Sequence, residues 1–201
     1  MKLYYSPGAC SLSPHIALRE AGLTFDLEKT DLKAKKTASG TDFLTINPKG
    51  YVPALQLDNG KVLTEGPAIV QYIADQKPES GLAPQAGSFE RYELQEWLNF
   101  ITSEVHKPVG SLFNPAMTAD YKPVVLALID KRLTWIDGQL QGKQYLMGDT
   151  FTVADAYLFT VLRWTGFFNI DLGKYPAIKS YFARVAERPA VKEALAAEGQ
   201  K

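Results

Sequence analysis

Residues 2–23 read KLYYSPGACSLSPHIALREAGL. Lys2 to Tyr5 is a short β-prone run, cut by Ser6-Pro7-Gly8, three turn formers in a row. From Ser11 the apolar residues Leu12, Ile16, Leu18 and Leu23 recur at helical spacing, up to a stop at Gly22. Pro14 falls in the first turn of that helix, where its missing N–H is not needed. The stretch therefore predicts strand, tight turn and helix, with Cys10 at the junction.

Working outward, Phe25 to Thr30 alternates like a second strand, and Lys33 to Thr45 is polar and irregular. Asn47-Pro48-Lys49-Gly50 is a turn before a strand from Val52 to Leu57. Asp58-Asn59-Gly60 then turns a hairpin into Lys61-Val62-Leu63. Gly66-Pro67 opens a helix with Ile69, Tyr72 and Ile73 on one face. The predicted order is βαβαββα, an α/β layer whose first βαβ unit takes a right-handed crossover. Lys77 to Gly87, with Pro78, Gly81 and Pro84, has linker composition. Beyond it strand signals vanish, and helices are predicted over 88–110, 119–140, 152–166, 176–187 and 189–197. The expected division is 1–77, a linker 78–87, and an all-helical 88–201.

The chain has 201 residues, 46% apolar and 22% charged, close to the soluble globular average. Lys+Arg and Asp+Glu both number 22, so no net field draws nucleic acid or a membrane surface, and neither is expected as a partner. The N-terminus shows no signal-peptide pattern, and no run approaches the ~18 apolar residues of a membrane span. The single cysteine excludes an intramolecular disulfide. A reducing, cytoplasmic setting is expected.

Cys10 precedes a helix N-terminus, where unsatisfied N–H groups favour a thiolate. The competing reading is a small buried filler; position favours chemistry. No second cysteine makes a C-x-x-C pair. Tyr4, Tyr5, Ser6 and Ser11 crowd the same turn as candidate donors to a bound sulfur, although Tyr4 reads better as a buried strand residue. Pro53 sits at a strand start, where its bond to Val52 is either cis, turning the Val52 backbone toward an extended peptide-like ligand, or trans on an edge. Glu65 and Gly66 open a helix, an arrangement that suits a carboxylate at the amides and an ammonium at Glu65, or simply a favourable first-turn charge.

Asn99, Ser103 and His106 share one face of a helix opposite Leu94, Trp97, Leu98, Ile101 and Val105. Such a stripe is more often a plain solvated face. An imidazole with the ordinary pKa of ~6.5 suits proton handling at neutral pH. His15, the other histidine, reads as structural. Thr152 to Asp155 has the form of a capping box before a helix apolar nearly all round, hence buried. Asp155 is accordingly assigned to structure, not catalysis.

These residues together resemble a cytosolic glutathione transferase of the bacterial beta class. The likeness covers essentially the whole chain and is carried by Tyr5-Ser-Pro-Gly-Ala-Cys10-Ser11-Leu12, Asn47 through Leu55, Leu63-Thr-Glu65-Gly66, Trp97-Leu-Asn99 through His106-Lys107, and Thr152 through Phe159. It implies a thioredoxin-like domain, a cis Val52–Pro53 bond, and a homodimer with the glutathione site near the subunit interface. Cys10 would face the glutathione sulfur and form a mixed disulfide with it, with His106 on the sulfur's other side. Tyr5, Ser11, Lys35, Val52, Pro53, Glu65 and Gly66 would hold glutathione. Asn99, Ser103, Glu104 and Lys107 would complete the site, some from the partner subunit. Thr152 and Asp155 match the class's folding box. The family generally has Glu-Ser where this chain has Glu65-Gly66, so a hydroxyl contact to the γ-glutamyl carboxylate is missing.

The expected function is conjugation of glutathione, the co-substrate, to aryl or halogenated electrophiles. Cys10-dependent thiol–disulfide exchange or reductive dehalogenation in aromatic degradation would accompany it. No metal is expected. Phe113, Trp164, Phe167 and Phe168 are candidates for the electrophile's pocket. The alternative is a non-enzymatic binding or regulatory protein on the same scaffold.

Overall fold

The computed structural model describes residues 1–200. The chain divides into two compact units, one formed by Met1–Ala83 with the segment from Arg188 onward, the other by Pro84–Glu187.

In the first unit, β1 (Lys2–Tyr5) leads through the Ser6–Ser11 turn into α1 (Leu12–Glu20), then β2 (Asp26–Asp31), β3 (Lys36–Thr37), β4 (Ala54–Gln56), β5 (Val62–Thr64) and α2 (Gly66–Gln76). The strands lie in the order β3-β2-β1-β4-β5. Only β1 and β2 are parallel, as a helical crossover requires; the other pairs are antiparallel. This is the expected thioredoxin-like layer, with one difference. The middle helix of βαβαββα is a single 3-10 turn, Phe43–Thr45, preceded by the two-residue β3. Asp42 caps that turn through Leu44 N–H. Phe43 is wholly buried, packing at 5.9 Å on the Tyr4 ring, so one aromatic anchor fixes the segment without a helix.

The second unit is helical: α3 (Phe89–Phe100), a π-helical run (Ile101–His106), α4 (Lys107–Ser111), α5 (Lys122–Leu140), α6 (Val153–Leu162), a 3-10 run (Arg163–Phe168), a 3-10 turn (Leu172–Lys174) and α7 (Pro176–Ala186). Every residue of α6 is buried, matching its uniformly apolar sequence. Thr152 and Asp155 form the capping box. The Asp155 carboxylate accepts from Thr152 N–H at 2.8 Å and the Thr152 hydroxyl at 3.0 Å, and from Leu146 N–H at 2.9 Å.

α8 (Pro189–Ala197) packs against α1 and belongs to the first unit. That segment is helical as expected, but it groups with the first unit and not with the other helices. The reason is a buried polar contact. Arg19 Nε donates to His15 Nε2 at 3.0 Å, so His15 carries its proton on Nδ1 and gives it to Glu198 at 2.9 Å. Both side chains of the His15–Glu198 pair are fully buried. No helix among the described residues is long and apolar enough to cross a membrane.

Candidate functional site

The turn before α1 is held by its own side chains. The Ser11 hydroxyl donates to the Ser6 carbonyl at 3.2 Å and accepts from Ser6 N–H at 3.1 Å. Ser11 is wholly buried, which corrects its place among the ligand contacts: its hydroxyl is spent on the turn and offers no surface. Gly8 has φ +72°, a conformation side chains disfavour. Its N–H donates to Glu198 at 2.9 Å. The loop carrying Cys10 is thus tied to the last helical segment.

The Cys10 thiol, half-buried, donates to the Val52 carbonyl at 3.3 Å. The Val52–Pro53 bond is cis. Two stretches that the sequence singles out separately therefore meet. The Val52 N–H makes no hydrogen bond among the described residues. Tyr5, 9% exposed, packs its ring toward His15. Burial first, and Glu198 second, push its phenol up, keeping it protonated.

Glu65 stands before α2 at φ 70°, in a left-handed conformation unusual for a residue other than glycine. Such strain costs on the order of 1–3 kcal/mol and persists where surroundings impose it. Its carboxylate is engaged by Lys49 Nζ at 2.5 Å and the Tyr51 hydroxyl at 3.0 Å. Lys49 and Tyr51 escape the sequence reading, though both lie inside the quoted Asn47–Leu55 stretch. The Glu65 carboxylate thus already meets one ammonium, that of Lys49. Lys35 Nζ donates to the Gly50 carbonyl at 2.6 Å, fixing the loop before Val52. A Cβ on Gly66 would meet nothing within 4 Å.

In the second unit the stripe on α3 runs into the π-helical turn, a feature often found at functional sites. Asn99 and Ser103 are exposed, Ser103 Oγ donating to the Asn99 carbonyl at 3.1 Å. Glu104 pairs with Arg132 of α5 at 2.5 Å. Lys107 is exposed, and His106 is half-buried. His106 Nδ1 lies 2.5 Å from the Tyr157 hydroxyl. Burial first, then the Lys107 charge, bring its pKa down to about 4. The expected titration near neutrality is thus overturned, because the half-buried ring stays neutral.

The four aromatic candidates form one cluster, which reaches that ring through Trp164. Trp164 packs on His106 at 4.9 Å, and Phe113 meets Trp164, Phe167 and Phe168 at 5.9, 5.8 and 4.6 Å. Phe113 is 52% and Phe167 68% exposed, too open for core residues. A cavity of about 450 Å³ between α3 and α5, lined by Trp97, Phe100 and Trp135, contains none of these residues.

Residues 1–75 match the family model "Glutathione S-transferase, N-terminal domain" and residues 100–189 "Glutathione S-transferase, C-terminal domain". The chain belongs to the glutathione S-transferase family. It is 48% identical over 201 residues to the glutathione S-transferase GstA of Escherichia coli O157:H7, with both chains fully covered. BphK, a bacterial transferase solved as a ternary complex, superimposes with a TM-score of 0.97 at 60% identity, covering 99% of this chain and 100% of BphK. A sphingomonad glutathione S-transferase complexed with glutathione gives 0.96 at 50% identity, with both chains fully covered. The solved relatives include a bacterial beta-class enzyme, the class to which this transferase is assigned. It is an enzyme, and glutathione is its substrate.

Proposed function

We propose that the transferase conjugates glutathione to aryl or halogenated electrophiles and carries out a second, Cys10-dependent chemistry of thiol–disulfide exchange. The carrying observation is the Cys10 thiol at 3.3 Å from the carbonyl of Val52, a residue whose own N–H is unpaired among the described residues. That backbone suits antiparallel pairing with the cysteinyl residue of an extended peptide, the way a sheet edge takes a strand. Lys35, Glu65 with its Lys49 and Tyr51 neighbours, and the amide of Gly66 take glutathione's polar ends. Asn99, Ser103, Glu104, His106 and Lys107 are the proposed contacts from the helical unit, some supplied by the partner of a homodimer. Phe113, Trp164, Phe167 and Phe168 are proposed to receive the electrophile.

In exchange, the Cys10 sulfur attacks the S–S bond of glutathione disulfide. A Cys10–glutathione disulfide forms, and the second glutathione leaves as a thiolate with the bond's electron pair. The same thiol is proposed to serve reductive dehalogenation of aromatic metabolites. The test pairs turnover of a chromogenic aryl halide with intact mass after treatment with glutathione disulfide. Turnover and one reversible glutathione adduct at Cys10 are expected. A protein that shows neither, despite reacting once unfolded, would instead be a binding protein on this scaffold.

A further inference from the structure

Tyr157 lies in the apolar run of α6, yet its hydroxyl is the one hydrogen-bond partner of His106 among the described residues. The phenol stands on α6, 2% exposed, its ring T-shaped to the imidazole with centroids 5.7 Å apart. A phenol is a better donor than acceptor, and the Tyr157 oxygen already faces the Thr102 hydroxyl at 3.4 Å. The proton between Tyr157 and His106 therefore sits on Tyr157, with Nδ1 accepting. A neutral imidazole whose Nδ1 accepts carries its N–H on Nε2. That nitrogen makes no hydrogen bond among the described residues.

We propose that Tyr157 is a positioning residue that fixes His106 as the Nε2–H tautomer, so that His106 meets the glutathione sulfur as a hydrogen-bond donor and not as its proton acceptor. This rests on the reading that His106 faces glutathione. The donated N–H favours the thiolate through the charge that develops on sulfur. The thiol proton leaves to water, and the imidazole keeps its own. Burial, which holds the ring neutral until about pH 4, agrees with a donor that does not titrate in the working range.

The chain offers an internal reference. Its two histidines are His15 and His106, and the His15 network places that proton on Nδ1, the opposite tautomer. Protein labelled with 15N-histidine thus gives a readout that packing alone would not move. Spectra at neutral pH are compared for wild type and Tyr157→Phe, each with and without glutathione. His106 is expected as Nε2–H in wild type, with its Nε2 signal shifting on glutathione. Tyr157→Phe is expected to give His106 a tautomer mixture while His15 is unchanged, and to lower kcat/KM roughly three- to tenfold, the effect of one hydrogen bond. An Nδ1–H His106 in wild type would overturn the proposal without needing the variant to fold. If that result came with an Nε2 signal responsive to glutathione, the placement at glutathione would survive and the role of Tyr157 would not. An Nε2–H ring indifferent to glutathione would remove His106 from the site and end the donor role.

Discussion

His15 and Glu198 form a buried hydrogen-bonded pair at 2.9 Å across 183 residues of sequence. Glu198 spends its second oxygen on Gly8 N–H, two residues before Cys10. The final helical segment therefore supports the turn that presents the thiol. Removing the carboxylate leaves the buried His15 Nδ1–H without its acceptor, at a cost of about 1–3 kcal/mol. Glu198→Ala is expected to lose stability on that order in urea unfolding and to raise KM for glutathione as the Cys10 loop loosens. Unchanged stability would mean that α8 is not an integral part of the first unit.

Thr152→Ala removes a helix cap, with an expected loss of about 0.5–2 kcal/mol. Asp155→Ala leaves two backbone N–H groups and a hydroxyl unpaired and should cost more. Turnover per folded molecule should persist in both. A variant of normal thermal stability with no turnover would reassign Asp155 to catalysis.

The depressed pKa of His106 has a signed consequence for stability. The unfolded chain takes a proton near pH 6.5 and the folded chain only near 4. The unfolded state therefore binds more protons between these values, and stability falls as pH drops through the window. Asp155 works oppositely: burial raises it to about 6 against the hydrogen bonds from Leu146, Thr152 and Tyr181, so its contribution falls as pH rises from about 4 to 6. The His106 effect is isolated by difference. His106→Gln should lose less stability than wild type between pH 6.5 and 4 in chemical denaturation. Parallel pH profiles for the two proteins would contradict the neutral, buried ring.

Open space at Gly66 permits a direct gain-of-contact test. A Cβ there meets nothing within 4 Å, and the backbone is not in the left-handed region. Gly66→Ser should therefore fold normally, and one added neutral hydrogen bond of about 1 kcal/mol would tighten glutathione about fivefold. Calorimetric titration reads this. Unchanged affinity would place the γ-glutamyl carboxylate away from the start of α2.

Much of this molecule is written locally. The Cys10 turn, the strand start at Pro53, the Thr152–Asp155 box and the apolar run of α6 each announce themselves within a few residues. What escapes is either too short or too distant for such signals. The π-helical run at 101–106 is hidden because Leu94, Leu98, Ile101 and Val105 keep an ordinary helical spacing while the backbone bonds from i to i+5. β3 is two residues long, below any periodicity. Nothing local to Glu198 marks it as the partner of His15 and Gly8. Ser11 misleads in the opposite way, being a hydroxyl at the right place in sequence but turned inward to Ser6. Tyr157 is concealed by its apolar neighbours, which make it look like core.

The division of labour between the thiol and the rest of the site bears most directly on function. Thiolate stabilisation is shared by several donors, so Cys10→Ala should keep glutathione binding and a substantial part of conjugation. It should lose exchange, which needs a protein sulfur. The measurement is the steady-state rate of Cys10→Ala on an aryl halide and on a mixed disulfide. Retained conjugation with lost exchange is expected; abolished conjugation with exchange persisting would contradict the proposed role and make Cys10 the principal residue of conjugation.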